Sequence, residues 1–445
     1  MNLNQLKEIT RYPSAIVGIL LIAFLVILSI YVVIALPYHQ TIMKWQGAGG
    51  IWMDNPRTAP PEWVNYFRSK KLPKTIIRKS ANGAVQKKRT PIKGDISDED
   101  FVFSFNYTAD EFPQEIIVDF TSKYKKKAPY ITLTWITPDG RKIDVGNFAL
   151  HEETTRRISQ DKKLIAKLNG KPPEVALFAD PKSKELKPLK GTYKLDVDGI
   201  IFEPKSDFDA KLVVYGKVYG LAGTDHLRRD LMLALLWGTP VALIFGLLAA
   251  LATSILTMII AAIGSWYSSW VDSIIQRITE VNMMLPVLPI LIMIGVFYSR
   301  SLWVMLGAII LLSIFGAGIK SYRSIFMQER ESGYIEAAKA YGASDIRIIF
   351  FYLIPRIVPI LIPSLVVLIP SFVFLEASLA VLGLGDPVMP TWGKVINEAI
   401  TNGAPYKGLY YWPLEPAFML MLTGFSFAML GFALDRVFNP RLRGM

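Results

Sequence analysis

Few side chains in this sequence could carry out chemistry, and those that could are widely separated. The 445 residues include no cysteine, which excludes disulfides, thiolate metal sites and cysteine nucleophiles. His39, His151 and His226 stand alone, without the spacing of metal ligands, and are predicted to be surface residues. The phosphate-binding pattern G-x-x-x-x-G-K-[ST] does not occur, so we do not expect this chain to hydrolyse ATP itself.

Glu376 is the most informative acidic residue because it stands within a long apolar run. A carboxylate at membrane depth is costly unless it is paired or faces water, which makes Glu376 a candidate functional residue. Two roles are open: it caps or bridges the following loop, GLGDPVMPTWG, or it contacts a substrate. The same run contains Pro363 and Pro370, which remove backbone donors and predict a kinked or broken helix that could act as a gate.

A second candidate site is the polar, alanine-rich stretch SGYIEAAKAYGASDIRIIFFYLIPRI at residues 332–357, which separates two apolar runs. Ser332 can cap a helix and Gly342 can end it in a left-handed conformation, after which Ser344 can cap a second helix. Charged residues of this stretch could pair with another protein, namely Glu336, Lys339 and Arg347. The pattern fits either a docking surface for a protein partner or an amphipathic loop on lipid headgroups.

The elements that must position these residues are apolar helices. The mean hydropathy is +0.33 and 52% of the residues are hydrophobic. Six segments have the roughly 17–25 apolar residues that a membrane-spanning helix needs. They are 15–36, 240–263, 281–297, 302–319, 357–382 and 416–434. The sequence therefore predicts an α-helical polytopic membrane protein with six transmembrane helices, the first of them a retained anchor.

Basic residues in the short segments between spans predict the orientation. With the N-terminus in the cytoplasm, the cytoplasmic pieces hold Lys7, Arg11, Arg277, Lys320, Arg323, Arg330, Lys339, Arg347, Arg356, Arg436, Arg441 and Arg443. The outer loops hold only Arg300, Lys394 and Lys407. Both termini and the 332–357 stretch are therefore predicted to be cytoplasmic, with residues 1–14 forming the N-terminal segment.

Residues 37–222 are predicted to lie outside the membrane as an inserted domain. After the proline-rich DNPRTAPPEW and a basic linker, KTIIRKSANGAVQKKRTPIKG, stretches of alternating polarity predict a β-sandwich-like fold from about residue 100 to 220. One helix, TTRRISQDKKLIAKL, is expected to interrupt it. The whole chain has a net charge of +12, and residues 37–230 hold 34 of its 49 Lys and Arg against 25 acidic residues. This dispersed surplus favours a solvated basic surface over nucleic-acid or lipid binding.

The stretch EAAKAYGASDIRIIFFYLIP resembles the EAA motif of ABC importer permeases, although Tyr352 and Ile354 depart from the usual residues. In that family the motif forms a coupling helix that docks on a cytoplasmic ATPase, within a loop that corresponds here to 320–356. The resemblance implies that the coupling residues are Tyr334, Glu336, Ala337, Ala338, Lys339, Gly342, Ala343, Arg347 and Pro355.

Three further stretches resemble the dipeptide, oligopeptide and nickel permeases, in particular their C-type subunit. GTDHLRRDLMLALLWGTPVAL has Arg228 where the family usually has glycine, which adds a charge expected at the outer membrane surface. FLEASLAVLGLGDPVMPTWGKVI and the tail LDRVFNPRLRGM match more closely, with Asn439 where aspartate is common. GSWYSSWVD departs from a glycine-rich entry to the third span, which puts close backbone packing there in doubt.

The resemblance covers a permease core at residues 223–445 and implies a type I ABC importer permease that carries peptides, with oligosaccharides or nickel as alternatives. The implied partners are a second homologous permease, one or two ATPase subunits that bind ATP and Mg, an extracytoplasmic substrate-binding protein and the lipid bilayer of the cell membrane. No cofactor is expected on this chain. A membrane-anchored extracytoplasmic binding or scaffold protein is the alternative from another class.

Overall fold

The computed structural model describes residues 12–81, 85–183 and 185–438. The chain divides into two compact units: a membrane unit, made of residues up to 46 and from 233 onward, and a β-rich unit, residues 47–232. These bounds fall ten residues later at each end than the predicted insert of 37–222. Parts of the predicted termini lie outside the described residues, including Lys7, Arg11, Asn439, Arg441 and Arg443.

The first apolar run forms helix α1, Pro13–Ala35, in agreement with the predicted anchor. Pro37 follows, and a short helix α2, Tyr38–Trp45, begins directly after it. The ring of Tyr38 lies 5.8 Å from the ring of Trp237 in an edge-to-face contact. Helix α2 therefore packs within the membrane unit, which explains why the unit boundary lies after residue 45 rather than at Pro37.

The β-rich unit consists of two antiparallel sheets over a shared core. Its strands are β1 Ile76–Lys79, β2 Lys88–Lys93, β3 Ile96–Tyr107, β4 Glu115–Lys123, β5 Tyr130–Ile136, β6 Lys142–Ala149, β7 Glu153–Arg157, β8 Gly191–Ile201 and β9 Asp207–Tyr215. The sheet orders are β1-β9-β4-β7 and β2-β3-β8-β5-β6. Alternate residues of β3, β5 and β8 turn inward, including Phe103, Phe105 and Trp135, and meet Phe120 of β4. The predicted β-rich domain is confirmed.

Two stretches of this unit were predicted wrongly. The expected basic linker contains β1 and β2, which pair with β9 and β3. The expected helix TTRRISQDKKLIAKL begins as strand β7, and only Lys162–Lys167 is α-helical, as helix α3. A further turn of helix, α4, spans Pro173–Ala176. Strands β1, β2 and β7 lie at sheet edges, where charged side chains are tolerated and the alternating apolar pattern is weak.

The proline-rich stretch after α2 packs on the residues that lead into the next membrane helix. The amide of Ala59 donates to the Thr224 hydroxyl at 3.0 Å, and the amide of Thr58 donates to the carbonyl of Asp225 at 3.0 Å. Asp225 in turn pairs with Arg229 at 2.5 Å in a buried site. These contacts explain why the β-rich unit extends to residue 232.

Arg228 lies within this packing rather than exposed on a surface. The side chain is buried and its guanidinium donates to the carbonyl of Asn55 at 2.5 Å and to Glu115 at 2.7 Å. It also lies 4.1 Å from the centre of the Tyr215 ring. The backbone of Arg228 has φ of 68°, a left-handed conformation that glycine adopts more readily than other residues.

Ten helices follow the β-rich unit in chain order. They are α5 Leu231–Tyr267, α6 Ser269–Met284, α7 Val287–Phe297, α8 Leu302–Ile314, α9 Ala317–Arg330, α10 Gly333–Ala340, α11 Asp345–Ile348, α12 Ile354–Leu379, α13 Trp392–Thr401 and α14 Tyr411–Phe438. Among the described residues, four helices are long and apolar enough to cross a membrane, or up to six if each of two bent helix pairs is one span.

Each bent pair coincides with a predicted span and shows where that span breaks. The predicted span 281–297 breaks at Leu285 and Pro286, where α6 and α7 meet at 77°. Pro286 cannot donate a backbone hydrogen bond and pushes Leu285 into an extended conformation, so the helix cannot continue. The predicted span 302–319 breaks at Phe315 and Gly316, where α8 and α9 meet at 46°.

Close helix packing holds the first and last helices of the membrane unit together. A Cβ atom on Gly18 would lie 2.9 Å from the backbone of Leu430 and of Ser426, so only glycine allows α1 and α14 to approach this closely. Ala15 of α1 and Ala433 of α14 share a buried cluster at the same contact. The two ends of the membrane unit therefore form one packed pair.

Candidate functional site

The candidate coupling segment folds as the sequence predicts. Helix α10 ends at Ala340, and Gly342, just beyond its C-cap, has a left-handed φ of 76°. The amide of Ala343 donates to the carbonyl of Ala338 at 3.0 Å, and the amide of Gly342 donates to that of Lys339 at 2.9 Å. This is a Schellman cap, and helix α11 starts three residues after Gly342, at Asp345.

One local prediction fails at the start of α10. Ser332 occupies the N-cap position, but its hydroxyl does not accept from the helix; it donates to the carbonyl of Glu329 at 2.5 Å. The same turn is held by the Tyr334 hydroxyl, which lies 3.1 Å from the carboxylate of Glu329. Helix α10 is therefore fixed to the end of α9 by two side-chain bonds rather than by a conventional cap.

Helix α10 has one buried and one exposed face. Ile335 and Ala338 are buried in a cluster with residues of α5, α9 and α12, such as Phe326 and Ile357. Ala338, predicted to be a coupling residue that meets a partner, is thus covered by this chain's own helices. Ala343 also packs against this cluster. The residues of the buried face attach α10 to the membrane unit.

The exposed face carries most of the other predicted coupling residues. Those that are exposed are Tyr334, Glu336, Ala337, Lys339, Gly342, Arg347 and, at the start of α12, Pro355. Two large exposed side chains were not predicted as coupling residues, Tyr341 at 93% and Ile346 at 65% exposure. Because Tyr341 follows Ala337 by four residues, helical spacing alone could have placed both on one face. We call these nine exposed residues, on or beside α10 and on α11 and the start of α12, the coupling face.

Beneath α10 lies the turn between α5 and α6. The ammonium of Lys339 lies 4.8 Å from the centre of the Trp266 ring, a cation–π contact. In the turn, Ser268 and Ser269 adopt left-handed φ values of 52° and 47°. Two serines thus adopt here positive φ values that glycine takes more readily than other residues.

Two arginines of α9 hold this turn in place. Arg330 donates to the carbonyl of Ser265 at 2.8 Å and to the hydroxyl of Ser268 at 2.5 Å. Arg323 makes a two-bond ion pair with Asp272, at 2.6 and 2.5 Å. Paired guanidinium–carboxylate bonds of this kind fix orientation as well as distance. Arginine bonds therefore join α9 to the α5–α6 turn, and the Lys339–Trp266 contact joins α10 to the same turn.

Glu376 lies on the opposite end of the apolar run from the coupling segment. It is 7% exposed and hydrogen-bonded to the side chain of Thr391, the residue that caps α13. Nearby, Asp386 accepts from the amides of Leu302 at 3.0 Å and Val388 at 2.8 Å. The Glu376 carboxyl group is therefore joined to the N-terminal end of α13 through Thr391.

The expected break at the prolines of this run is not seen. Pro363 and Pro370 both lie inside α12, which is helical from Ile354 to Leu379. The irregular points are π-helical turns at Ile349–Leu353 and Ala380–Leu384, on either side of it. These two turns lie next to the coupling segment and next to the Glu376 loop.

These features define a class of protein, a helical membrane protein. Its apolar helices are connected by buried packing and arginine contacts to two short, partly exposed helices, α10 and α11, which are joined by a turn. Residues 254–444 match the family model described as binding-protein-dependent transport system inner membrane component. That range includes the coupling segment, the Glu376 loop and the α5–α6 turn.

Curated relatives give the same result. The dipeptide transport system permease protein DppC of Bacillus subtilis is 30% identical over 223 residues, which is 50% of this chain and 68% of that protein. The glutathione transport system permease protein GsiD of Pectobacterium atrosepticum is 29% identical over 50% of this chain and 72% of its own length. The chain belongs to the family of binding-protein-dependent transport system inner membrane components, which confirms the predicted permease family.

A third relative differs in its named cargo. The peptidoglycan transport system permease protein YejE of Agrobacterium fabrum is 30% identical over 49% of this chain and 56% of its own length. All three are named as transport system permeases, and in each case the match spans about half of this chain. The similarity therefore establishes a permease, while the cargo differs among relatives.

Proposed function

We propose that this chain is one of two permease subunits of an ATP-driven importer of peptides and forms half of the translocation pathway. Two of the relatives support the peptide cargo, being named for dipeptide transport in Bacillus subtilis and for peptide transport in Brucella suis. Oligosaccharides and nickel remain the alternative cargoes. ATP and Mg belong to the partner ATPase subunits, and an extracytoplasmic binding protein delivers the peptide.

The proposed topology treats each bent helix pair as one span, which gives six spans. Both termini and the coupling face then lie in the cytoplasm of a cell whose plasma or inner membrane holds the protein, with residues 37–222 outside. The excess of basic residues in the proposed cytoplasmic loops supports this orientation. The β-rich unit would then be available to dock the binding protein, and its loss should reduce uptake.

The observation that carries the proposal is the two-sided character of α10. Its coupling face is exposed and combines a small residue, Ala337, with a large one, Tyr341, so a partner can approach the backbone and still find an apolar anchor. Its other face is anchored by Ile335 in the cluster that α12 shares. A movement of a bound ATPase would therefore pass directly into the membrane helices.

The contacts below α10 suggest how the movement spreads. Arg330 and Arg323 connect α9 to the α5–α6 turn, and Lys339 adds a contact from α10 itself. In this proposal α5, α9 and α12 move as a group, while the π-helical turns that flank α12 absorb the change in backbone direction. Pro363, Pro370 and Glu376 would line or brace the pathway beyond this group.

The proposal is tested by Ala337→Trp, which fills the small space on the coupling face. Purified complexes in proteoliposomes should lose ATPase subunits and peptide uptake together, because the bulky ring prevents close approach of the partner. Ala317→Trp is the matched control, since Ala317 is an exposed alanine at the start of α9. Equal uptake by the two variants would contradict the coupling assignment, and uptake of nickel but not of peptide would contradict the cargo.

A further inference from the structure

The β-rich unit exposes a compact group of large apolar side chains. A 3₁₀ turn at Glu62–Tyr66 presents Trp63, Tyr66 and Phe67, which are 43%, 88% and 84% exposed. The rings of Trp63 and Phe67 are 6.3 Å apart in an edge-to-face contact. Leu221, 69% exposed, adjoins them. We call these four residues the aromatic patch.

The aromatic patch is held in place by hydrogen bonds rather than exposed by a loose loop. The indole N–H of Trp63 donates to the carbonyl of Leu221 at 2.9 Å. The amide of Glu62 donates to the carbonyl of Gly220 at 2.9 Å. On the other side, the Asn65 side chain exchanges two bonds with the backbone of Leu72, at 3.0 and 2.9 Å. A fixed local structure therefore keeps the rings exposed. Exposed apolar patches of this kind often mark a site of interaction.

Basic residues follow the rings immediately in the sequence. Arg68, Lys70 and Lys71 are all exposed, and Arg68 also pairs with Glu111 at 3.1 Å. Tryptophan and tyrosine favour the boundary between water and hydrocarbon, where one part of the ring is apolar and another is polar. Basic side chains next to such rings are attracted to anionic lipid headgroups. The combination matches the chemistry of a bilayer surface.

The chain also limits how far the aromatic patch can be from a membrane. Leu221 precedes Leu231, the first residue of α5, by ten residues, and α5 is long and apolar enough to cross a bilayer. Ten extended residues span at most about 36 Å, and the intervening residues are folded rather than extended. The predicted span of α5 begins at residue 240, about 14 Å of helix beyond Leu231. The chain therefore keeps the aromatic patch within about 50 Å of the point where α5 enters the bilayer.

We propose that the aromatic patch inserts into the interfacial layer of the bilayer, with Arg68, Lys70 and Lys71 at anionic headgroups. The β-rich unit is then a second membrane contact of the chain, separate from the spanning helices. A mobile protein partner would leave the rings in water for part of its cycle, whereas a lipid surface is always present. The inference holds whatever cargo the permease carries.

Site-directed spin labelling of the full-length chain in nanodiscs tests this directly, because the sequence has no cysteine of its own. Phe67→Cys and Tyr66→Cys place the label in the aromatic patch. Ile92→Cys is the matched control, an exposed apolar side chain at 59% exposure on the edge strand β2. The measured quantity is the accessibility of each label to oxygen, which concentrates in lipid, and to a nickel chelate, which stays in water.

Labels at positions 66 and 67 should show an oxygen-to-nickel ratio severalfold above that at position 92. In nanodiscs with anionic lipid, adding Lys70→Gln and Lys71→Gln should lower the ratio at position 67, and the same changes should have little effect in zwitterionic lipid. A ratio equal to that of the control would overturn the proposal. So would labels shielded from both reagents, since that result indicates a protein contact in place of lipid.

Discussion

The membrane unit and the β-rich unit use apolar side chains in opposite ways. Along α1 the large side chains are mostly exposed, as at Leu20, Ile27 and Ile34, although the helix is almost entirely apolar. In the β-rich unit the large side chains are concentrated inside, where Trp135, Phe105 and Tyr193 stack in one core. Exposed apolar side chains therefore cover most of α1, whereas in the β-rich unit they are scattered, as at Ile92 and Leu186, except where they gather in the aromatic patch.

The units also differ in what their arginines hold. In the β-rich unit Arg228 and Arg229 are buried and fasten one chain segment to another. In the membrane unit Arg323 and Arg330 remain partly exposed and connect helices that must move in our proposal. We therefore predict that losing one of these arginines lowers the stability of the β-rich unit. In the membrane unit the same loss separates transport from ATP hydrolysis.

The largest effect is expected from Arg228→Ala. Glu115 would lose its charged partner in a mostly buried site, which typically costs about 3 kcal/mol or more. The thermal midpoint of the β-rich unit, followed by tryptophan fluorescence of the purified chain, should fall markedly. Arg228→Gly should cost about 1 kcal/mol less, because glycine relieves the left-handed backbone. Arg68→Ala is the control, because Arg68 forms an exposed ion pair with Glu111. If Arg228→Ala has a thermal midpoint no lower than that of Arg68→Ala, this explanation is wrong.

Arg330→Ala should act on transport more than on stability. Removing the guanidinium frees Ser265 and Ser268 from α9, so part of the ATPase movement would no longer reach α5. We expect peptide uptake per ATP hydrolysed to fall about 2- to 30-fold, the range of typical coupling energies, while ATPase subunits remain bound. Arg277→Ala is the control, since that side chain is 85% exposed. If uptake per ATP is unchanged in both Arg330→Ala and Arg277→Ala, the arginines of the membrane unit do not transmit movement as we propose.

The turn at the end of α10 gives a smaller, purely conformational effect. Gly342→Ala places a Cβ where nothing lies within 4 Å, but the left-handed φ costs about 1 kcal/mol. Hydrogen exchange of the α10 amides should accelerate about fivefold, by the free-energy relation. Gly333→Ala also meets nothing within 4 Å, and its backbone is helical. That variant should exchange no faster than the parent, and faster exchange in it would refute the conformational explanation.

The smallest effect concerns charge on the outer face of the β-rich unit. Burial, and then the charges of Asp98 and Asp196, raise the pKa of Asp100. Because the folded form holds its proton more tightly than the unfolded form, the free energy of unfolding decreases as pH rises through the folded pKa. Asp100→Asn should therefore stabilise the chain by about 0.5 kcal/mol at pH 7 and not at pH 3.

Thermal midpoints at both pH values measure this difference. Asp144→Asn provides the control, because Asp144 forms an exposed pair with Lys167 and should show no gain at pH 7. A loss of stability for Asp100→Asn at pH 7 would show that the acidic residues of this face do not repel one another.

The sequence predicted the elements whose pattern is strong and missed those whose pattern is weak. Spans such as α1 and α14 follow from long apolar runs, and α10 with its Gly342 turn follows from helix and cap preferences. Strands β1, β2 and β7 were missed because edge strands tolerate charge on both faces. Pro286 marks one break in the sequence, but the 77° and 46° angles between the helices on either side of the two breaks could not be read from it.

Only part of the candidate site could be predicted from the sequence. Exposed residues of the coupling face such as Glu336 and Ala337 could be named from the motif alone. The burial of Ala338 and the bonds from Arg330 to the α5–α6 turn could not, since they join residues more than sixty positions apart. Arg228 is similar: its left-handed backbone and its contact with Glu115 exist only in the folded unit.

The central claim is that the coupling face of α10 is the surface that binds the ATPase. The most direct measurement is photo-crosslinking of the assembled transporter from single cysteines carrying a short photoreactive group at Ala337, Tyr341 or Ala317. We predict ATPase adducts from positions 337 and 341, changing in yield when ATP is added, and none from position 317. Adducts from position 317 alone, or from none of the three in an active transporter, would contradict the claim.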